Sequence, residues 1–223
     1  VTVVVLIMAD GRDEYLTQCV QSATINLQGP ISGWWMHDDT GNETYRAQLR
    51  ERYPDFHHIG QGPRRGFGGA IAFAWDLLSR HCKADWVFHL EQDFIFTGPV
   101  PLEDMMAVME ANPYLAQMAL RRQPWNEAEK VAGGVVELNP GLYTSRQDVC
   151  GRHWLEHRVF WTTNPSLYRR STMKLGWPAG AKSEGHFTAY LTRNPKMKFG
   201  YWGARDSGIW VEHIGHNRRG RGY

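Results

Sequence analysis

Trp86-Val-Phe-His-Leu90, followed at once by Glu91-Gln92-Asp93, is a short apolar-biased run that ends in two carboxylates. Five such residues are too few for a helix and read as a strand buried on both faces, as in the middle of a parallel sheet. Ligands of open parallel sheets bind beyond the carboxyl ends of the strands. Glu91 and Asp93, spaced i, i+2, lie on one face of an extended chain at that rim. Such a pair can hold Mg²⁺ or Mn²⁺, hard cations that prefer oxygen ligands and bridge to phosphates.

Upstream, Val1 to Met8 is a second apolar run rich in β-branched residues, followed by Asp10-Gly11-Arg12. Leu16, Cys19, Val20, Ala23 and Leu27 recur at helical spacing until Gly29-Pro30 stops the helix. Ile31 to His37 reads as a strand ending in Asp38-Asp39. A polar helix near 43–53 and a short strand at 57–59 follow. Gly60 to Gly69 holds five glycines, and a helix spans 70–78. Downstream come a helix over 102–111 and a strand over 115–120. Beyond 121 the pattern loosens to a helix near 184–193 and strands at 198–203 and 208–214. Strands alternating with helices predict an α/β fold, a mostly parallel sheet flanked by helices with an irregular C-terminal region. We read one domain over 1–223, with a nucleotide-type half over 1–120 and a second half over 121–223.

Polar residues close four strand ends: Asp10-Gly11-Arg12, Asp38-Asp39, the glycine loop and Glu91-Gln92-Asp93. Turns are ordinarily polar, but four along one edge mark a site. Gly60-Gln-Gly62-Pro-Arg-Arg-Gly66 is one residue too long for a dinucleotide fingerprint, and no Walker A sequence occurs. Arg64-Arg65-Gly66-Phe67-Gly68-Gly69, leading into a helix, can still place amides and Arg charge near a phosphate. His213-Ile-Gly-His216 offers an imidazole to a metal. His153 and His157, spaced i, i+4, would suit a metal on a helix but lack a third ligand.

Lys plus Arg number 25 and Asp plus Glu 23 in 223 residues, leaving +2, which excludes a coat-like nucleic-acid binder. The mean hides a gradient. Residues 1–60 hold eight acids and four Arg, whereas 141–182 hold seven Lys/Arg and two acids. Basic and aromatic residues interleave in 141–182, a composition suited to a nucleic-acid strand. The three cysteines form no CxxC pair, so neither a zinc knuckle nor a disulfide framework is indicated. Reduced thiols, and an opening apolar run too short for a membrane span, predict a soluble cytoplasmic protein without a membrane partner.

In order along the chain, these motifs resemble those of small GT-A fold glycosyltransferases of the family 2 type found in phage genomes. The resemblance rests on Asp10-Gly-Arg12 with Tyr15-Leu16, Asp38-Asp39, Gly66-Phe-Gly-Gly-Ala-Ile71 and Glu91-Gln-Asp93 in place of the D-x-D motif. It continues through Asn164-Pro-Ser-Leu167 with Arg169, Gly176-Trp-Pro178, Ser183-Glu184-Gly185 and Val211-Glu-His213-Ile-Gly215. It implies an inverting, metal-dependent transferase that uses a nucleotide-sugar donor. Asp10 and Asp39, and less so Asp38, would face base and ribose, with Glu91 on the ribose side. Arg12, Arg65, Gly66, Gly69 and Gln92 would complete the donor site. Asp93 and His213 would hold Mn²⁺ or Mg²⁺ on the diphosphate. Glu184 would be the general base, and Trp161, Asn164, Arg169 and Trp177 would receive the acceptor.

The acceptor expected first is a hydroxymethylated base in phage DNA, with the tail Arg218-Arg219-Gly-Arg221 adding charge. A virion protein or glycan is the alternative. A sugar-1-phosphate nucleotidyltransferase shares the sheet type, but Asp10-Gly-Arg-Asp-Glu14 lacks that class's glycine-rich basic signature. An inactive transferase fold kept as a DNA-binding module is the non-enzymatic reading.

Overall fold

The computed structural model describes residues 1–178, 180 and 182–215. The first half alternates as expected. β1 (Val3–Ala9), α1 (Asp13–Asn26), a two-residue β2 (Leu27–Gln28) and β3 (Ile31–Asp38) lead to α2 (Glu43–Arg52) and β4 (His57–His58). Then come α3 (Gly66–His81), β5 (Trp86–Glu91), the short β6 (Phe94–Phe96) and β7 (Val100–Pro101), α4 (Leu102–Ala111) and β8 (Leu115–Ala119). The second half begins with two short helices, α5 (Glu127–Ala132) and α6 (Val135–Leu138). Strands β9 (Thr144–Gln147), β10 (His153–His157) and β11 (Ser166–Arg169) follow. It closes with α7 (Arg170–Met173), α8 (Ser183–Leu191), β12 (Lys198–Trp202) and β13 (Val211–His213).

Among the described residues one nine-stranded sheet runs β4-β3-β1-β5-β11-β8-β12-β10-β9. β4, β3, β1 and β5 pair in parallel, as do β8 and β12; β11 and β10 run against their neighbours. Seven of the nine strands therefore point one way. The carboxyl ends of β1, β3 and β5 lie side by side, which gathers Asp10, Asp39 and Glu91–Asp93 at one edge. β13 lies outside this sheet and pairs antiparallel with β6, in register His213 to Phe94.

β1 shows why its sequence is apolar throughout. Val3, Val5 and Ile7 pack on one face with Leu16, Cys19 and Val20 of α1 and Met105 of α4. Val4 and Leu6 pack on the other with Ile71, Ala74 and Trp75 of α3 and Phe187 of α8. A strand covered on both faces has no side on which a polar residue is cheap.

Three strands, β9 to β11, lie where no periodicity was legible. β9 is exposed along its whole length, and β11 is only four residues long. His153 and His157 therefore sit on a strand, not a helix. His157 is buried among Tyr143, Phe160 and Tyr201, and burial pulls its pKa down to about 3, so it is a neutral core residue. Cys19, Cys82 and Cys150 are all free thiols. No helix among the described residues is long and apolar enough to cross a membrane.

Candidate active site

A cavity of about 380 Å³ opens over the carboxyl edge of the sheet. Asp10, Arg12, Asp39, Glu91, Gln92, Asp93, Asn164, Glu184 and His213 of the sequence-derived set line it. Met8 and Ala9 from β1 and Phe67, Ala70 and Ile71 from α3 supply its apolar side, with Phe94, Phe160 and Tyr201 adding aromatic wall.

The acids are held by a dense polar frame. Arg12 Nε donates to Asp10 Oδ1 at 2.8 Å, and Arg12 Nη1 donates to Asp93 Oδ2 at 2.8 Å. Gln92 clamps Asp10 from the other side: its Nε2 donates to Asp10 Oδ1, and its Oε1 accepts from the Asp10 amide at 3.1 Å. His213 Nε2 lies 3.1 Å from Asp93 Oδ2, placed there by the β13–β6 pairing. Gln123 grips the His213 backbone at both N–H and C=O, 2.9 Å each. Trp125 stands edge-on to the His213 ring at 4.3 Å. Burial pushes the Asp93 carboxyl up, but His213 and Arg12 outweigh it and hold the pKa below the usual carboxylate value. Glu91 is the opposite case. Burial, then the charges of Asp93 and Glu184, raise its pKa well above the carboxylate range.

Glu184 stands in the first turn of α8. Its Oε1 accepts from the Thr163 amide at 2.7 Å and the Thr163 hydroxyl at 2.9 Å. Its Oε2 accepts no hydrogen bond from the described residues, so one carboxylate oxygen is anchored and the other is available to take a proton. Lys182, just before the helix, has φ of +62°. This left-handed conformation is uncommon for a non-glycine residue and costs about 1 kcal/mol or more. Gly68 lets this segment pack tightly on α3: a Cβ there would stand 3.0 Å from the Gly180 carbonyl and 3.3 Å from Ser183 Oγ.

Several expected site residues serve the scaffold instead. Asp38 is buried and accepts from Thr40 N and Arg46 Nε, both at 3.2 Å, tying the end of β3 to α2. Arg65, Gly66 and Gly69 do not line the cavity. The Arg65 and Gly66 amides both donate to the Asp39 carboxylate at 2.8 Å, so the start of α3 is capped by Asp39 and those donors are not offered to a phosphate. Trp161 and Trp177 are buried around Trp75 with Phe187, because aromatic faces in the second half build the core between α3 and α8.

Arg169 lies at the opposite end of the sheet. It bonds the Met109 and Leu115 carbonyls and stacks on Trp86 at 4.9 Å. Arg169→Ala should therefore lower stability by about 2 kcal/mol and leave nucleotide-sugar affinity unchanged. Paired thermal melts and calorimetric titrations check this.

The arginines of the basic stretch are likewise bonded internally, while Lys174 and Lys182 are exposed. Arg146 pairs with Glu156 at 3.2 Å, and Arg152 pairs with Asp104 at 2.8 Å and Asp148 at 3.1 Å. Arg158 and Arg170 bond backbone carbonyls. Tyr143, Trp154 and Tyr168 are buried. Apart from those two lysines, the composition that suggested a nucleic-acid face is divided among core, ion pairs and bonds to backbone carbonyls. Arg218, Arg219, Arg221 and His216 lie outside the described residues.

Sequence reading missed Thr163, Gln123, Arg122 and Trp125. A signal was present for the last three. They follow β8, and Leu120-Arg-Arg-Gln-Pro-Trp125 is one more polar segment beyond the carboxyl end of a strand.

No family model matches the chain, and no curated protein matches it. Solved structures do. S. aureus TarS 1–349 in complex with UDP-GlcNAc is 15% identical with a TM-score of 0.65, over 100% of this chain and 60% of that one. GalNAc-T7 with UDP, GalNAc and Mn²⁺ is 11% identical, TM-score 0.63, over 96% and 44%. The mannosyltransferase PcManGT from Pyrobaculum calidifontis, with GDP-Man and Mn²⁺, is 11% identical, TM-score 0.61, over 97% and 57%. The chain spans less than two thirds of each of these structures. At such identities the likeness establishes the fold. It is an α/β, GT-A-like fold with a mostly parallel sheet flanked by helices.

Two of those structures hold Mn²⁺. Among the described residues no cluster of three or more His, Cys, Asp or Glu side chains is placed to hold a metal. Asp93 and His213 nevertheless form an oxygen and nitrogen pair. Asp93 Oδ1 is buried with no hydrogen-bond partner among the described residues. Such a pair fits a divalent cation whose other ligands come from a diphosphate and water.

Proposed function

We propose that the chain is an inverting glycosyltransferase that moves a sugar from a nucleotide-sugar donor to a hydroxyl acceptor. The observation that carries this reading is Glu184. An oriented carboxylate with one free oxygen faces the same cavity as the Arg12–Asp93–His213 group. The donor would lie over the carboxyl ends of β1, β3 and β5, within the 1–120 half, and the acceptor would enter from the 121–223 half. Asp93 and His213 would hold Mn²⁺ or Mg²⁺, which when bound offsets charge on the departing nucleoside diphosphate.

Glu184 takes the proton of the acceptor hydroxyl as that oxygen bonds to the anomeric carbon. The bond from that carbon to the phosphate oxygen breaks on the opposite face, and the nucleoside diphosphate leaves with the electron pair. Thr163 keeps Glu184 pointed across the cavity throughout. Asp10, Asp39 and Glu91 flank the donor on the side of the β-strand ends.

A saccharide hydroxyl fits the acceptor side better than a hydroxymethylated base in phage DNA. The partly exposed Trp125 and half-buried Phe160 are cavity-wall aromatics able to stack on a sugar ring. Among the described residues, Arg146, Arg152, Arg158, Arg169 and Arg170 of the basic stretch are already bonded to carboxylates or backbone carbonyls.

Thermal shift with UDP-, GDP- and TDP-sugars plus Mn²⁺ tests the enzyme reading. One sugar nucleotide at a hundredfold excess over its Kd should raise Tm by about 5 °C or more. Stabilisation by a nucleoside triphosphate alone would favour a nucleotidyltransferase. No response to any donor would favour an inactive fold. Weak acceptor binding with a flat salt response would count for a glycan and against DNA.

A further inference from the structure

Arg12 raises a question that its place in a donor site does not answer. Its Nη1 holds the Asp93 Oδ2 atom that His213 Nε2 also approaches, at 2.8 and 3.1 Å. The two residues able to share a divalent cation are therefore already bonded to each other, and one is neutralised by a guanidinium. A cation arriving alone meets a carboxylate whose Oδ2 is already held by a guanidinium, and it must sit beside that fixed positive charge.

Arg12 lies over the Tyr15 ring at 5.5 Å and borders the cavity. Its side chain is 24% exposed, lines the cavity, and makes no bond through Nη2 to the described residues. It keeps a second anchor on Asp10, which Gln92 holds independently. Gly215 closes over the same point. A Cβ there would lie 2.2 Å from Asp93 Oδ2 and 3.1 Å from Arg12 Nη1, while the Ile214 amide donates to the Asp93 carbonyl at 2.8 Å. The segment that brings His213 to Asp93 thus also crowds the Arg12 contact.

We propose that Arg12 is a displaceable counter-ion that occupies Asp93 until a nucleoside diphosphate draws it away, so that the divalent cation and the diphosphate enter the site together. This rests on the nucleotide-sugar reading above. Guanidinium groups prefer a forked pair of oxygens, and a diphosphate offers Arg12 a more highly charged partner than Asp93 does. Its transfer leaves Asp93 and His213 to the metal. Linkage then makes each ligand tighten the other.

The test measures Mn²⁺ binding by electron paramagnetic resonance, without and with the nucleoside diphosphate that gives the largest thermal shift. Wild type should bind Mn²⁺ weakly alone and more tightly with the diphosphate. Arg12→Gln should bind Mn²⁺ alone at least about tenfold more tightly than wild type, yet bind the diphosphate without metal at least about tenfold more weakly. Arg12→Lys guards against misfolding. It keeps the charge but lacks the planar fork that bonds Asp10 and Asp93 at once, and it should shift both affinities the same way by less. Unchanged or weaker Mn²⁺ affinity in both variants, with coupling to the diphosphate intact in wild type, overturns the role of Arg12 and leaves the glycosyltransferase reading standing. Absence of Mn²⁺ binding to wild type in either condition overturns both the role and the metal site on which it depends.

Discussion

Glu184→Gln lowers kcat at least about a hundredfold, the usual scale for loss of a general base, and leaves donor affinity unchanged. The amide keeps the shape of the side chain, and its oxygen still accepts from the Thr163 amide and hydroxyl that anchor Oε1 at 2.7 and 2.9 Å. What it loses is the ability of the free oxygen to take a proton. The competing role is purely structural, since an acid in the first turn of α8 favours the helix dipole by about 0.3–1 kcal/mol. That role predicts a small fall in Tm with normal turnover. Steady-state kinetics beside thermal melts separates the two: wild-type turnover in Glu184→Gln removes the residue from the chemistry.

Asp93→Asn abolishes metal-stimulated donor binding and lowers kcat/KM at least about a hundredfold. Asp93 is 2% exposed and faces both Arg12 and His213, so its charge is the negative pole of the site. Asparagine preserves volume, which keeps a packing defect from standing in for the electrostatic one. Donor affinity measured across a Mn²⁺ series reads the effect directly. The Mn²⁺ dependence present in wild type should vanish. If instead the variant keeps both its dependence and its rate, Asp93 is not a ligand and His213 has lost its partner for the metal.

The edge of the sheet was legible because burial on two faces leaves a plain mark. β1 and β5 are apolar runs with no alternation, and the residues just beyond each run are forced to the rim. Asp10, Arg12, Glu91, Gln92 and Asp93 were found on that basis, and all of them line the cavity. The same logic extended to β8 would have found Gln123 and Trp125. Trp161, Trp177 and Arg169 misled because residue type does not report direction. An aromatic ring can face a ligand or a core, and a guanidinium can meet a phosphate or cap its own backbone carbonyls. In 141–182 the strands are only four or five residues long, with β9 exposed throughout and β10 and β11 almost wholly buried, and none alternates to give a period from which to choose.

By itself, the sequence determined the α/β class, the order of the elements in the first half and which strand ends carry acids. Those features follow from local burial and are written in runs of a few residues. Tertiary structure alone decided which charges meet. The β13–β6 register sets His213 against Asp93, the turn after β1 swings Arg12 across to the same carboxylate, and Thr163 reaches Glu184 from another part of the chain. Pairings between segments distant in sequence depend on the packing of the whole sheet, and no local pattern encodes them.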